Sequence, residues 1–164
     1  MSALLELSEK FIKVMEEFMP ELEEHIVIDG QNWQEPNDGK PFVIISEEKY
    51  ELRHFTDKPE GGDAQDEYAR TFHITLHVYG RDLDPISVAE KLVFLGDRTI
   101  NQQKFFANGM GVFCNRKINP RHERDGSTII RRYDIEFALT SIGKSEPSRL
   151  EFEEGTLKDL TFEQ

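Results

Sequence analysis

Two histidines four residues apart, His73 and His77 in "RTFHITLHVYG", are the first candidates for chemistry, because imidazoles one helical turn apart can share a metal ion. The residues around them argue against a helix. Phe72, Ile74, Leu76 and Val78 alternate with Thr71, His73, Thr75, His77 and Tyr79, which is the period-two pattern of a half-buried strand in β-branched and aromatic types. At roughly 3.3 Å per residue, side chains four apart on one strand face are separated by about 13 Å. Two imidazoles on one zinc ion each lie about 2 Å from it. The pair therefore cannot chelate one ion together, and no metal is expected. Both histidines are placed instead on the polar face of a sheet, where they are candidate contacts for a partner.

Other chemistry is sparse. The single cysteine, Cys114, alternates with its neighbours in "GVFCNRK" as a strand residue does, and one cysteine permits no intrachain disulfide. His122 in "RHER" reads as a solvated histidine in a charged turn. There is no phosphate-binding loop, nucleophile elbow, His-Glu-x-x-His, paired-cysteine cluster or EF-hand spacing. Neither an enzyme nor a cofactor is expected.

Charge is more informative. The net charge is −12, from 32 acids against 20 bases, which disfavours wrapping a phosphate backbone. The first 24 residues carry seven glutamates against Lys10 and Lys13, and "TDKPEGGDAQDEY" (56–68) contributes Asp57, Glu60, Asp63 and Asp66. By contrast "NRKINPRHERDGSTIIRR" (115–132) gathers Arg116, Lys117, Arg121, Arg124, Arg131 and Arg132. It is the one basic segment of an acidic chain.

The elements that must position these groups follow from periodicity. Leu4, Leu7, Phe11, Val14, Met15 and Phe18 recur at steps of three and four, predicting an amphipathic helix stopped by Pro20. "HIVIDG" is a short extended piece, a Pro-Asn-Asp-Gly turn follows at 36–39, and 42–55 and 69–79 pair as a hairpin whose acidic tip is long and mobile. Asp84 and Pro85 start a helix with Val88, Ala89, Leu92 and Val93 inward, and Gly96 divides it from a second helical piece ending at Gly109. Strands are predicted at 110–118 and 128–142, joined by the turn "NPRHERDG". The fold class is α+β: a mainly antiparallel sheet with two helices packed on one face, as a single domain over 1–142 with a polar, extended C-terminal tail over 143–164. That tail is expected to order only against a partner or its own surface. No membrane span or signal peptide is predicted, so the protein is expected to be soluble.

"HVYGRDLDPISVAEKL" and "IIRRYDIEFALTS", with the N-terminal helix ahead of a first strand, resemble the tail-terminator, or neck-completion, proteins of long-tailed bacteriophages. The resemblance spans roughly 1–142. It implies an α+β subunit that assembles as a homohexameric ring, caps the tail tube and meets the head-tail connector protein. DNA would pass through the lumen without specific binding. The location so implied is the virion tail or neck, after assembly in the host cytoplasm, with no enzymatic activity and no cofactor.

A ring needs a heterologous contact between two different surfaces. The basic turn with Arg121 and Arg124 is expected to face the acidic loop with Asp57, Glu60, Asp63 and Asp66, or the acidic N-terminal helix, across that junction. The alternative reading is a small-molecule or peptide-binding α+β module that uses the polar sheet face with His73, His77 and Tyr79.

Overall fold

The N-terminal pattern becomes helix α1 (Ala3–Phe18). The computed structural model describes residues 3–56 and 67–144, so Asp57, Glu60, Asp63 and Asp66 of the acidic loop, and the tail from 145 onward, lie outside the described residues. Strand β1 (Ile26–Ile28) is followed by the hairpin strands β2 (Phe42–Thr56) and β3 (Glu67–Gly80). Helices α2 (Ile86–Val93) and α3 (Thr99–Ala107) come next, separated by a 3-10 turn over Leu95–Asp97 that contains Gly96. The chain then runs through β4 (Met110–Cys114), β5 (Asn119–Pro120), β6 (Glu123–Asp125) and β7 (Thr128–Lys144).

The main sheet has the order β1-β2-β3-β7-β4, with β5 and β6 also pairing with β7. All pairings are antiparallel except β1 with β2, so the sheet is mixed but mainly antiparallel, and the fold class is α+β. Opposed residues share a face, and the register separates the two faces cleanly. Val43, Ile45, Ile74, Leu76, Ile135, Phe137 and Leu139 are buried on one side. On that side they form one core with Phe11 and Met15 of α1, Leu92 of α2 and Phe105 of α3. Three helices, not the expected two, cover the sheet. The division at Gly96 is the expected one, and the second helical piece beyond it packs as a helix of its own through Phe105.

Two junctions depend on local chemistry. Gly80 ends β3 where any Cβ would lie 2.3 Å from the Leu83 carbonyl, so the turn into α2 requires glycine there. Just ahead of α2 the Ile86 N–H donates to Asp84 Oδ1 at 3.1 Å in an Asx turn, but the N-cap position falls on Pro85, which has no side-chain capping bond, so the expected arrangement of Asp84 as cap and Pro85 as first helical residue is displaced by one.

The region 110–127 departs from expectation. Strand β4 stops at Cys114 rather than 118, because Arg116 takes a left-handed φ of +61° and the Lys117 N–H bonds the Asn115 side chain at 3.0 Å in an Asx turn. The predicted turn 119–127 is mostly extended: Asn119 and Pro120 face Asp134 and Tyr133, and Glu123–Asp125 pairs with Thr128–Ile130. Only Gly126 and Ser127 form the loop, with Gly126 at φ +64°. Arg124 is thus a strand residue of a two-stranded arm, not a turn residue. Likewise β7 continues to Lys144, two residues beyond the predicted domain edge.

Candidate functional site

The face of the sheet away from the helices carries the polar residues. Opposite and diagonal neighbours on β2, β3 and β7 bring Ser46, His77 and Asp134 together, since His77 faces Asp134 across one strand pair and Ser46 lies diagonally across the other. His77 Nδ1 is 2.8 Å from Asp134 Oδ1, and Nε2 is 2.8 Å from Ser46 Oγ. An ionised carboxylate only accepts, so Nδ1 carries a proton. Arg132 grips the same carboxylate with two bonds of 2.9 Å and reaches Glu123 at 3.1 Å. Burial alone would raise the Asp134 carboxyl, but the hydrogen bonds from Arg132 and His77, with their charges, hold it below the ordinary carboxylate range.

Serine, histidine and aspartate joined in this order have the hydrogen-bond pattern of a hydrolytic triad. The surroundings oppose that chemistry. A nucleophilic serine needs donors aimed at a developing oxyanion. Here Ser46 Oγ has a carboxylate oxygen of Glu48 at 2.9 Å, which would repel one. The nearest cavity, about 150 Å³, is lined by Glu48, His73, Thr75, Phe113 and Glu136 and includes neither Ser46 nor His77. What the arrangement does physically is tie three adjacent strands together by their side chains.

His73 sits apart from this network. Its Nε2 is 2.5 Å from Glu51 Oε1 on β2, so the two histidines have different partners, in keeping with their separation along the strand. Among the described residues no cluster of three or more His, Cys, Asp or Glu is placed to hold a metal ion. Cys114 is half-buried, and burial pushes its thiol up and away from the reactive thiolate. Ser46, Glu48, Glu51 and Glu123 were missed by sequence reasoning. The only available signal was the matched parity of neighbouring strands, which needs the register.

At one end the polar face is roofed by the loop after β1. Trp33 packs on Phe42 at 5.4 Å between ring centres, Phe42 stacks on Tyr79 at 5.1 Å, and the Arg132 guanidinium lies 5.8 Å from the Tyr79 ring. Two contacts latch that loop. Arg81 pairs with Glu35 through two nitrogens, and His25 Nε2 bonds Asp38 at 2.7 Å. The His25 ring is raised above its ordinary pKa by its bond to the Glu23 carbonyl and by Asp38, against a smaller opposing effect of burial. A raised histidine contributes stability that is complete below about pH 6.5 and is lost as pH climbs through the folded value. Trp33 is the only tryptophan, so its emission reports this latch. We expect the emission to shift between pH 6 and 8.5 in the native chain and to stay flat in His25→Gln; equal shifts in both would show that the latch does not hold the loop.

The basic arm projects from the far end of β7. Arg116 pairs with Asp97 at 2.8 Å, Arg131 with Asp84 at 3.8 Å, and Arg132 with Asp134 and Glu123. Arg121 and Arg124 are exposed and have no ion-pair partner among the described residues. The acidic loop leaves from Thr56 and re-enters at Glu67, and Glu67 faces Lys144, whereas Gly80 at the other end of β3 faces Arg131 beside the arm. Thirteen residues of strand separate those ends, roughly 43 Å. The two charged segments therefore spring from opposite ends of one sheet.

Fold and face together define an α+β subunit with a helix-covered side and a polar side, and among the described residues no helix is long and apolar enough to cross a membrane. No protein-family model matches the chain, and no curated protein matches its sequence.

Proposed function

We propose that the protein is a non-enzymatic structural subunit that assembles head to tail as a ring, in the manner of the tail-terminator proteins its sequence resembles. Such a ring would cap a phage tail tube, join it to the head-tail connector and be part of the virion. The observation that carries the reading is the placement of charge. Arg121 and Arg124 stand unpaired on an arm at one end of the sheet, and the acidic loop is anchored at the other. One chain cannot easily bring these ends together, but successive copies in a ring can, which is the heterologous contact a closed ring needs. Exposed ion pairs contribute only about 0–1 kcal/mol each, so charge sets register and encounter rate more than affinity.

The test is mass in solution at low and high salt. A ring of six gives six times the 19.1 kDa chain mass, with assembly weakening as salt rises. Arg121→Glu/Arg124→Glu is expected to shift the population to monomer while leaving the melting temperature within a few degrees. If the double variant assembles like the native chain at both salt levels, the arm is not at the junction.

The alternative, a small-molecule or peptide-binding module, draws on the cavity beside His73. At about 150 Å³ it is smaller than the roughly 300–1,000 Å³ of ordinary ligand sites.

A further inference from the structure

Strand β2 has an open edge. β1 covers it only from Val43 to Ile45, and among the described residues no other strand pairs with that side of β2. The run Glu47–Arg53 beyond β1 is exposed throughout, and it is bounded by breaks in register, one between Glu47 and Lys49 and one between His54 and Thr56. An uncovered edge presents unpaired N–H and C=O groups, a template for another strand. Val43 N–H donates to the His25 carbonyl and the Ile45 carbonyl accepts from Asp29 N–H, so alternate residues point outward, and the bulge at Glu48 moves that alternation onto Tyr50 and Leu52. Both side chains are exposed as well, at 48% and 61%, with the Tyr50 ring stacked on Phe72 at 4.5 Å.

We propose that a second copy of this chain docks here, its β2 antiparallel to the first about a two-fold axis at Tyr50. The order of charge selects that occupant. Opposed residues of an antiparallel pair share a face, so the axis sets Tyr50 opposite its copy, Leu52 diagonal to it, and Lys49 opposite Glu51 of the second copy, twice over by symmetry. The bulge keeps Glu48 on the same face as Lys49: Glu48 accepts from Ser46 Oγ at 2.9 Å, while Lys49 lies 3.5 Å from Glu51, which meets His73. Arg53, two residues beyond Glu51 on that face, is carried toward Glu48 of the second copy. Charges on an edge strand usually keep copies apart, but here the directly opposed charges differ in sign. Moving the axis by one residue to Glu51 would set Lys49 against Arg53 and Glu51 against itself, so the charges fix the register. The contact ends at Arg53, where the next residues would reach the copy's β1 and the second break in register bends the strand. The inference stands apart from the ring reading, since it uses an isologous contact on β2 and not the basic arm.

An edge contact of this length lies at the small end of specific interfaces, roughly below 1,200 Å², so a concentration-dependent dimer is expected. Mass across a concentration series tests it, read with the full chain carrying Arg121→Glu/Arg124→Glu so that the proposed ring contact is silent. Lys49→Glu and Glu51→Lys should each weaken dimerisation about tenfold, because each sets two like-charged pairs across the axis. An equimolar mixture of the two variants should restore it, since each chain then meets its opposite sign. Leu52→Pro removes an outward N–H that β3 does not use, and it should abolish the dimer with the melting temperature within a few degrees. The proposal is overturned if mass does not rise with concentration, if the mixture associates no better than either variant alone, or if the Leu52→Pro chain still dimerises.

Discussion

Phe11→Ala is expected to destabilise the fold by about 3–5 kcal/mol, the range for removing a buried aromatic ring. Phe11 is fully buried in α1, stacked on Phe105 of α3 at 5.8 Å and edge-on to Phe137 of β7 at 5.6 Å. One ring therefore joins two helices to the centre of the sheet, and its loss removes apolar burial and leaves a cavity that three rigid elements cannot easily close. Urea unfolding measures the effect. A loss below about 1 kcal/mol would mean that α1 does not pack on the sheet through Phe11. Leu7→Ala, at the edge of the same stripe, should cost less.

The second large effect is expected at Asp134, on the opposite face. Removing one member of a buried pair leaves the other charge uncompensated, at a cost of about 3–5 kcal/mol when both are fully buried. The Asp134 and Arg132 side chains retain 11% and 22% exposure, so water relieves part of the penalty and Asp134→Ala should cost about 2–3 kcal/mol. The pH dependence has a definite sign. A carboxyl held below its ordinary pKa contributes stability above the unfolded value of about 3.9 and loses it as pH falls through the lower folded value. Native stability should therefore fall more steeply below pH 4 than that of Asp134→Asn. Parallel acid-unfolding curves would show that Arg132 and His77 do not stabilise the carboxylate. Activity against simple esters is expected to be the same in the native chain and in Ser46→Ala, because Glu48 faces the serine oxygen where an oxyanion would need a donor.

Much of the architecture was legible in periodicity. The steps of three and four in 4–18 place α1, and the alternation in 71–79 and 132–140 assigns the inward and outward faces of β3 and β7. Asp84, Pro85, Gly96 and Gly109 mark helix ends, because their chemistry acts over a few residues. The same locality misled at 119–127. Asn-Pro and Asp-Gly both carry turn signals, but pairing with β7 is worth more than the local preference at Asn119, and only Gly126–Ser127 turns.

By itself the sequence determined the α+β class, the outward placement of His73 and His77 and their inability to share a metal, since strand geometry depends only on residue spacing. Only the tertiary structure decided which side chains meet. Ser46, His77 and Asp134 are separated by 31 and 57 residues, and a one-residue slip in either strand pair would send these groups to opposite faces. Register is a collective outcome of core packing on the other side of the sheet. The polar network and the separation of the basic arm from the acidic loop's anchors thus follow from how Val78, Ile135 and their neighbours pack, which no local pattern in the sequence encodes.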